Sequence, residues 1–363
     1  MKARSLTVVV GHTGGVGSTV VRMLANRRDV RIVGGLAHSE DKVGRDLGEI
    51  VGVGTLGVTA TDDVDSLVEL RADCLMWHGL VWHPEVIGKF LAAGTNVYSG
   101  YGGWYPLGNS DDKTIADACA AGRSTYVAGG NIPGLISDVL PLFLTGYVGN
   151  LTRIHAKQSN YVPGYPSALQ LSLGLGIGVP PESQAENIAA VDAQITWAIE
   201  QSAHLVAAGL GVEVTDFGIT KKEYAPAPHD ILLQPSGLNV PVGTPAGVRW
   251  TWTARHGDNP FFVVVNEQTV CLGLGEGWRA TVDEPNWTVA VHGEPDVVCT
   301  VALPGTRDGE AAPVSTLNAA RAVNFLPLVV AAEPGIKTVL DLPAPRAMTN
   351  AIQAQQLTIG VKH

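Results

Sequence analysis

The stretch Gly11-His12-Thr13-Gly14-Gly15-Val16-Gly17 restricts the fold of this chain more than any other. It follows an apolar run, Leu6 to Val10, and leads into Val16, Val20, Met23 and Leu24 at helical spacing. Strand, glycine turn and helix in that order suit a dinucleotide pyrophosphate, because the first helical N–H groups and the positive dipole end face the phosphates. On this reading Gly11 allows the tight turn and Gly14 lets the backbone approach the phosphates. Gly17 lets the helix lie close on the strand. His12, Thr13, Gly15 and Val16 complete the cofactor-contacting loop. The spacing G-x-x-G-x-x-G is a variant of the usual fingerprint.

The same alternation continues to about residue 135. Val30 to Leu36 reads as a second strand and Gly57 to Thr61 as a weaker third. Cys74 to Trp77, Asn96 to Ser99 and Ser124 to Ala128 read as the fourth, fifth and sixth. Helices are expected through Leu67 and Leu70, over Pro84 to Ala93 with proline at the start and Gly94 after the end, and over Asp111 to Ala121. Strands alternating with helices predict an α/β fold, a Rossmann-type doubly wound parallel sheet. Ligands of such sheets bind beyond the carboxyl ends of the strands. The loops Gly11–Val16, Ala37–Lys42, His78–His83, Ser99–Pro106 and Gly129–Gly134 are therefore the candidate cofactor loops. His78, Gly79, Ser99, Asn131 and Pro133 are the contacts expected from the last three.

The end of the second strand bears on the choice of nicotinamide cofactor. An NAD site places Asp or Glu there for the ribose 2′-hydroxyl. Here the strand runs into Ala37-His38-Ser39-Glu40-Asp41-Lys42, with no acid at its immediate end. His38, Ser39 and Lys42 could surround a 2′-phosphate, which points to NADP, with NAD the alternative because Glu40 and Asp41 are near.

From about residue 135 the pattern changes. Ala190 to Ala208 has the spacing of a long amphipathic helix. Val248 to Ala254, Phe261 to Val265, Thr288 to Val291 and Val297 to Leu303 are β-rich and separated by turn signals, so an α+β domain with an open, largely antiparallel sheet is expected. Trp250 and Trp252 should share one face, as core or subunit interface. Ser315 to Ala331 is again helical and apolar. The expected division is 1–135 for the cofactor domain, 136–312 for a substrate and dimerisation domain, and 313–363 for a C-terminal return segment whose helix, about 313–332, rejoins the first.

Composition removes several classes. Of 363 residues, 45% are hydrophobic and 16% charged, enough apolar content for a large core over about two domains. The net charge of −10 and the lack of a basic run argue against nucleic acid as a partner. No N-terminal apolar core or uninterrupted membrane-length stretch is present. The four cysteines are far apart, as expected for buried thiols in the cytoplasm. His256 and His292 stand apart from other ligand types, so no metal site is expected. P-loop and nucleophile-elbow motifs are absent.

Blocks along the whole chain carry a family resemblance. Besides the glycine turn they are Lys42-Val43-Gly44-Arg45-Asp46-Leu47-Gly48-Glu49, Gly57 to Asp63, Gly94-Thr95-Asn96-Val97, and Pro133-Gly134 with Leu140-Pro141-Leu142. Ala322 to Pro327, Glu333 to Ile336 and Asp341-Leu342-Pro343 follow in order. The chain resembles the family with a dihydrodipicolinate-reductase-like N-terminal domain that includes 2,4-diaminopentanoate dehydrogenase and the native amine dehydrogenases. The resemblance implies a two-domain NAD(P)-binding subunit, a homodimer formed through the open sheet, and hydride transfer to or from a C–N bond, as in reversible reductive amination. Two departures stand out. The resemblance implies a Glu in the loop after the fifth strand, where this chain has Ser99-Gly100-Tyr101-Gly102-Gly103-Trp104-Tyr105-Pro106 and no acid before Asp111. Asn131 also sits one position further from Pro133 than the family pattern implies.

Hydride transfer needs a held nicotinamide, a bound carbonyl or imine, and a proton donor. Tyr101 and His78 are the leading donor candidates, with Tyr105 and His155 behind them. Gln158, Asn160, Tyr161 and Tyr165 form a polar–aromatic cluster. With Tyr101, Trp104 and Tyr105 it suits a small carbonyl or amine substrate, or else a packed hinge. Three functions remain open: an amine dehydrogenase, a carbonyl or imine reductase that ignores ammonia, and a non-catalytic NAD(P)H sensor.

Overall fold

The computed structural model describes residues 4–303 and 314–347. The expected boundary at 312/313 and the end of the return segment lie outside them. In chain order the first elements are β1 (Leu6–Gly11), α1 (Gly15–Ala25), β2 (Val30–Leu36), α2 (Leu47–Val51), β3 (Ala60–Thr61), α3 (Val64–Glu69), β4 (Cys74–Trp77), α4 (Pro84–Ala92), β5 (Asn96–Ser99), α5 (Ser110–Gly122) and β6 (Thr125–Ala128). A π-helical turn at Leu135–Val139 precedes α6 (Leu140–Thr145), β7 (Gly149–Tyr161), α7 (Ala185–Leu210), β8 (Asp216–Pro226), β9 (Ile231–Leu233) and β10 (Leu238–Val240). Then come β11 (Pro245–His256), β12 (Asn259–Thr269), β13 (Trp287–Glu294), β14 (Val297–Val301), α8 (Val314–Ala331) and β15 (Gly335–Lys337).

The described chain forms two compact units, Met1–Gly130 with the tail from Ser315, and Asn131–Val314. In the first, seven strands lie in the order β15-β6-β5-β4-β1-β2-β3. All pairings are parallel. The order places β1 between β2 and β4, so the turn after β1 opens where the strand order reverses. Val8, Val10, Val20, Val21, Leu24 and Met76 share one buried cluster with Ala322, Phe325, Leu326 and Val329 of α8. The α8 helix is long and apolar enough to cross a membrane. Its buried positions are instead part of this cluster, where side chains such as Phe325 each contribute about 2 kcal/mol by leaving water.

In the second unit the sheet order is β14-β13-β7-β12-β11-β8. Every pairing is antiparallel except β12 with β7. The α7 helix covers one face. Trp250 donates its indole N–H to Asp192 at 2.7 Å, and Trp252 donates to Thr196 at 2.9 Å. The two tryptophans stack on each other and are buried beside α7, as core.

Candidate active site

The β1–α1 corner is built by close approaches. A Cβ on Gly17 would stand 1.9 Å from the carbonyl oxygen of His12, so only glycine lets α1 start this near the strand. A Cβ on Gly11 would meet the Trp77 ring at 3.1 Å. Gly11 is thus demanded by the neighbouring strand rather than by turn geometry. The left-handed residue of the turn is His12, at φ 68°. A Cβ on Gly14 would meet nothing within 4 Å. Gly14 caps α1 without a side-chain hydrogen bond, and no acid lies in the first turn. The open face in front of Gly14 and the uncapped N–H groups behind it fit a pyrophosphate.

Thr13 is buried, and its carbonyl accepts from Ser18 Oγ at 3.0 Å and from Lys42 Nζ at 3.3 Å. Lys42 reaches the corner because the loop folds back: the N–H groups of Lys42 and Val43 donate to Ser39 O at 2.9 and 3.1 Å. His38 joins from the end of β2, its ring 4.7 Å from that of His12. His12 also meets the Trp77 ring edge-on at 4.5 Å, and its Nε2 is buried without a partner. Burial, with the charges of His38 and His83, lowers the His12 pKa to about 4. A Cβ on Gly79 would sit 2.9 Å from the His12 ring, so Gly79 makes room for it. Val16 packs on the core beneath the corner. Gly15 lies beside Ser315 of α8, whose Oγ would stand 3.4 Å from a Cβ there. Sequence reasoning did not single out Ser315.

His78 follows β4 and is buried, with both ring nitrogens unpartnered. Burial, and then His12, lower its pKa to about 3, so the ring is neutral at physiological pH. Gly100 passes close to it; a Cβ there would be 3.0 Å from Nδ1. Ser99 Oγ is occupied within its own loop, donating to Tyr101 O at 2.6 Å and accepting from Tyr101 N at 3.1 Å. Tyr101 and Trp104 meet edge to face at 5.4 Å, so the loop presents joined aromatics; Tyr105, next to Trp104, is partly buried.

This loop is clamped by residues the sequence did not flag. Trp82 lies on Gly102 and Gly103, whose added Cβ atoms would stand 2.2 and 2.9 Å from its ring. Both glycines have positive φ, 84° and 58°. Tyr126 donates its hydroxyl to Gly102 O at 2.6 Å. Trp82 donates to Asp111 Oδ2 at 2.9 Å. Asp112 accepts from the N–H groups of Leu107, Gly108 and Asn109 at 2.7–3.2 Å. The first two acids after the loop are therefore committed to holding it. A Gly-Gly pair among aromatics was the available signal, since it marks a backbone on which a bulky group rests.

The remaining candidates belong to the second unit. Asn131 donates to Val314 O at 3.2 Å, and the Ile132–Pro133 peptide bond is cis. Gln158 and Asn160 are buried on one face of β7. Asn160 Oδ1 accepts from Trp287 at 3.2 Å, whereas Gln158 Oε1 has no partner. Their cross-strand neighbours are Asn266 and Gln268, and Gln268 donates to Asn266 at 2.6 Å. Tyr161 is partly buried and Tyr165 exposed. Burial raises the pKa of Tyr161, with a smaller contribution from Cys271. His155 lies on the opposite face of β7, its pKa lowered by burial and then by Arg153, Lys157 and His292. Among the described residues, no three His, Cys, Asp or Glu side chains gather to hold a metal ion.

Two family models match the chain. Residues 135–358 match the 2,4-diaminopentanoate dehydrogenase C-terminal domain, and residues 6–76 match the N-terminus of dihydrodipicolinate reductase. The chain is 24% identical over 353 residues to a protein from Streptomyces virginiae called amine dehydrogenase, spanning 93% of this chain and 96% of that one. A 65-residue stretch is 43% identical to 4-hydroxy-tetrahydrodipicolinate reductase of Synechococcus elongatus, covering 18% of this chain and 24% of that protein. The structure of an amine dehydrogenase from Mycobacterium smegmatis superposes with a TM-score of 0.77 at 22% identity, over 94% of this chain and 97% of that one.

Proposed function

Because the chain belongs to the family of the 2,4-diaminopentanoate dehydrogenase C-terminal domain, we propose that it is an NAD(P)-dependent oxidoreductase acting on C–N or C–O bonds, and specifically an amine dehydrogenase for small ketones or aldehydes. The observation that carries the cofactor is the corner itself: Gly17 forced by a 1.9 Å approach, Gly14 facing open space. A nicotinamide bound there supplies or accepts a hydride. The backbone N–H groups at the start of α1 hold the diphosphate, and Gly14 admits it. His38, Ser39 and Lys42 meet the ribose end, for which NADP is our assignment.

The chain's own part in the reaction is to hold the substrate and move a proton. We assign the proton to the Tyr101 hydroxyl, on a loop that Trp82 and Tyr126 keep in place. Proton delivery to a developing alkoxide or amine anion by a positioned group contributes about 10²–10⁴ in rate. His78, a neutral buried ring, is assigned a hydrogen-bonding role near the cofactor.

A second reading, reduction of a carbonyl or imine without ammonia, rests on one observation. The loop after β5 holds no carboxylate before Asp111, and Asp111 is engaged by Trp82. The two readings separate when NADPH oxidation is followed with a ketone panel, with and without ammonium. Amine dehydrogenation expects turnover only with ammonium; turnover indifferent to ammonium selects the second reading. Binding of NADPH with no turnover on any carbonyl would leave a sensor.

A further inference from the structure

The ring of His12 is held between three other groups at the mouth of the first sheet. His38 comes from the loop after β2, with ring centroids 4.7 Å apart. Trp77 comes from β4, at 4.5 Å. Gly79 closes the third side. The left-handed backbone at His12 aims the ring there, and its Nε2 is left buried without a hydrogen-bond partner. Lys42 reaches the adjacent carbonyl of Thr13. The other titratable groups facing this place are His78 at the end of β4 and His83 at the start of α4, whose ring is 6.1 Å from Trp77. Glu40 and Asp41 lie on the same turn as His38 but are exposed. Basic groups thus gather around the His12 ring, whose buried Nε2 faces Gly79, and His38 and Lys42 carry the cluster to the end of β2, where a ribose 2′-substituent is read.

Such a cluster holds a proton badly when empty. Burial and the neighbouring histidines keep His12 neutral. An anion placed beside the two histidine rings reverses the sign of that electrostatic balance. A 2′-phosphate does this; a 2′-hydroxyl does not.

We propose that His12 and His38, backed by Lys42, form a proton-coupled reader of the ribose 2′-position: the pair takes up a proton as a 2′-phosphate binds, so preference for NADP over NAD strengthens as pH falls. The inference rests on the nicotinamide-cofactor reading and goes beyond it. Proton uptake gives the sign. Affinity for NADP is highest at low pH and declines as pH rises toward the pKa of the bound state, at a limit of about tenfold per pH unit for one proton. The phosphate's own second ionisation, near about 6, is avoided by working above pH 7. There the phosphate is a dianion, and a site made only of fixed cations takes up no proton.

The experiment is calorimetric titration of the full chain with NADP and with NAD, in buffers of different ionisation enthalpy, between pH 7 and 8.5. Expected are uptake of a substantial fraction of a proton with NADP, none with NAD, and an NADP-to-NAD affinity ratio that falls several-fold per pH unit toward the ~tenfold limit. H12N keeps a residue that tolerates the left-handed backbone. It should abolish the uptake and flatten the pH profile. H38Q, at an exposed position, should reduce both, so the inference stays testable if H12N fails to fold. K42M should weaken NADP while leaving the uptake in place. Preferred NADP binding with no proton uptake, or uptake undiminished in both histidine variants, overturns the inference alone. Equal binding of the two nucleotides, or binding of neither, overturns the NADP assignment and the inference with it.

Discussion

Two glycines of one turn should fail in opposite ways when each is replaced by alanine. In Gly17→Ala the new methyl carbon starts 1.9 Å from His12 O and 3.0 Å from His12 C. Both are backbone atoms, so no rotamer relieves the contact. The start of α1 must retreat by more than about 1 Å to restore ordinary van der Waals separation. Overpacking of this kind costs about 1–3 kcal/mol. For a unit of about 180 residues that lowers Tm by about 5 °C. The helix N-terminus moves with it, so NADPH affinity should fall at least about tenfold. Gly14→Ala meets nothing within 4 Å, and its φ of −72° is open to alanine. Its effect on stability should stay within about 1 kcal/mol, the lost cap preference offsetting the reduced freedom of the unfolded chain. The methyl group nevertheless projects where the phosphates are expected, so affinity should drop by about tenfold or more at unchanged Tm. Differential scanning fluorimetry and a nucleotide fluorescence titration measure the two effects. Parent-like NADPH binding by Gly14→Ala refutes the assignment of the corner, and an unchanged Tm for Gly17→Ala refutes the packing account.

Tyr101→Phe should lower kcat by about 10²-fold while leaving NADPH affinity intact, and an unchanged kcat removes Tyr101 from the proton path. Trp82→Ala takes the weight off Gly102 and Gly103 and frees the loop; kcat should fall with little change in nucleotide affinity, and crystallography should show the loop displaced. Glu267 is fully buried and binds Ser159 Oγ at 2.7 Å and Arg249 Nε at 2.8 Å, with Lys157 at 3.3 Å. Burial pushes its pKa up, but the Ser159 hydrogen bond, Lys157 and Arg249 outweigh that and hold it below the ordinary value of 4.5. Its stabilising contribution is therefore present above that value and lost as pH falls through the folded one. Glu267→Gln should cost about 3 kcal/mol at pH 7, and the difference from the parent should shrink in acid; equal Tm at pH 7 refutes it. Light scattering should report a homodimer formed through the open sheet, and a monomer at micromolar concentration would remove that expectation.

Much of the first unit is legible from sequence because each strand is a short apolar run and each helix carries its own start and stop. The third strand is the instructive exception. Only Ala60–Thr61 forms it, although Gly57 to Thr61 reads as strand. The Asp46 carboxylate takes the N–H groups of Leu56, Gly57 and Val58 at 2.7–3.1 Å, along with those of Gly48 and Glu49. A side chain ten to twelve residues away has claimed the donors a ladder would need, which local pattern cannot register. In the second unit β8 is not among the strands expected from sequence, because Lys221-Lys222-Glu223 carries no apolar alternation. It is an edge strand whose Lys222 turns in to Asp192 at 2.7 Å, so the charge is neutralised across the fold rather than along the chain.

The site divides along the same line. The glycine corner is local: strand, turn and helix are contiguous, and even the forced approach at Gly17 is to a residue five positions earlier. The loop carrying Tyr101 is not. Its conformation is set by Trp82 from before α4, Tyr126 from β6 and Asp111 from α5, three residues that become neighbours only once the sheet has formed. That dependence explains why a missing carboxylate in this loop says little when the sequence is read alone. An acid does follow, at Asp111, and only the fold shows that it accepts the Trp82 indole N–H. On the proposed function the proton is handled without that carboxylate, and our assignment is Tyr101, the phenol next to the clamped Gly102.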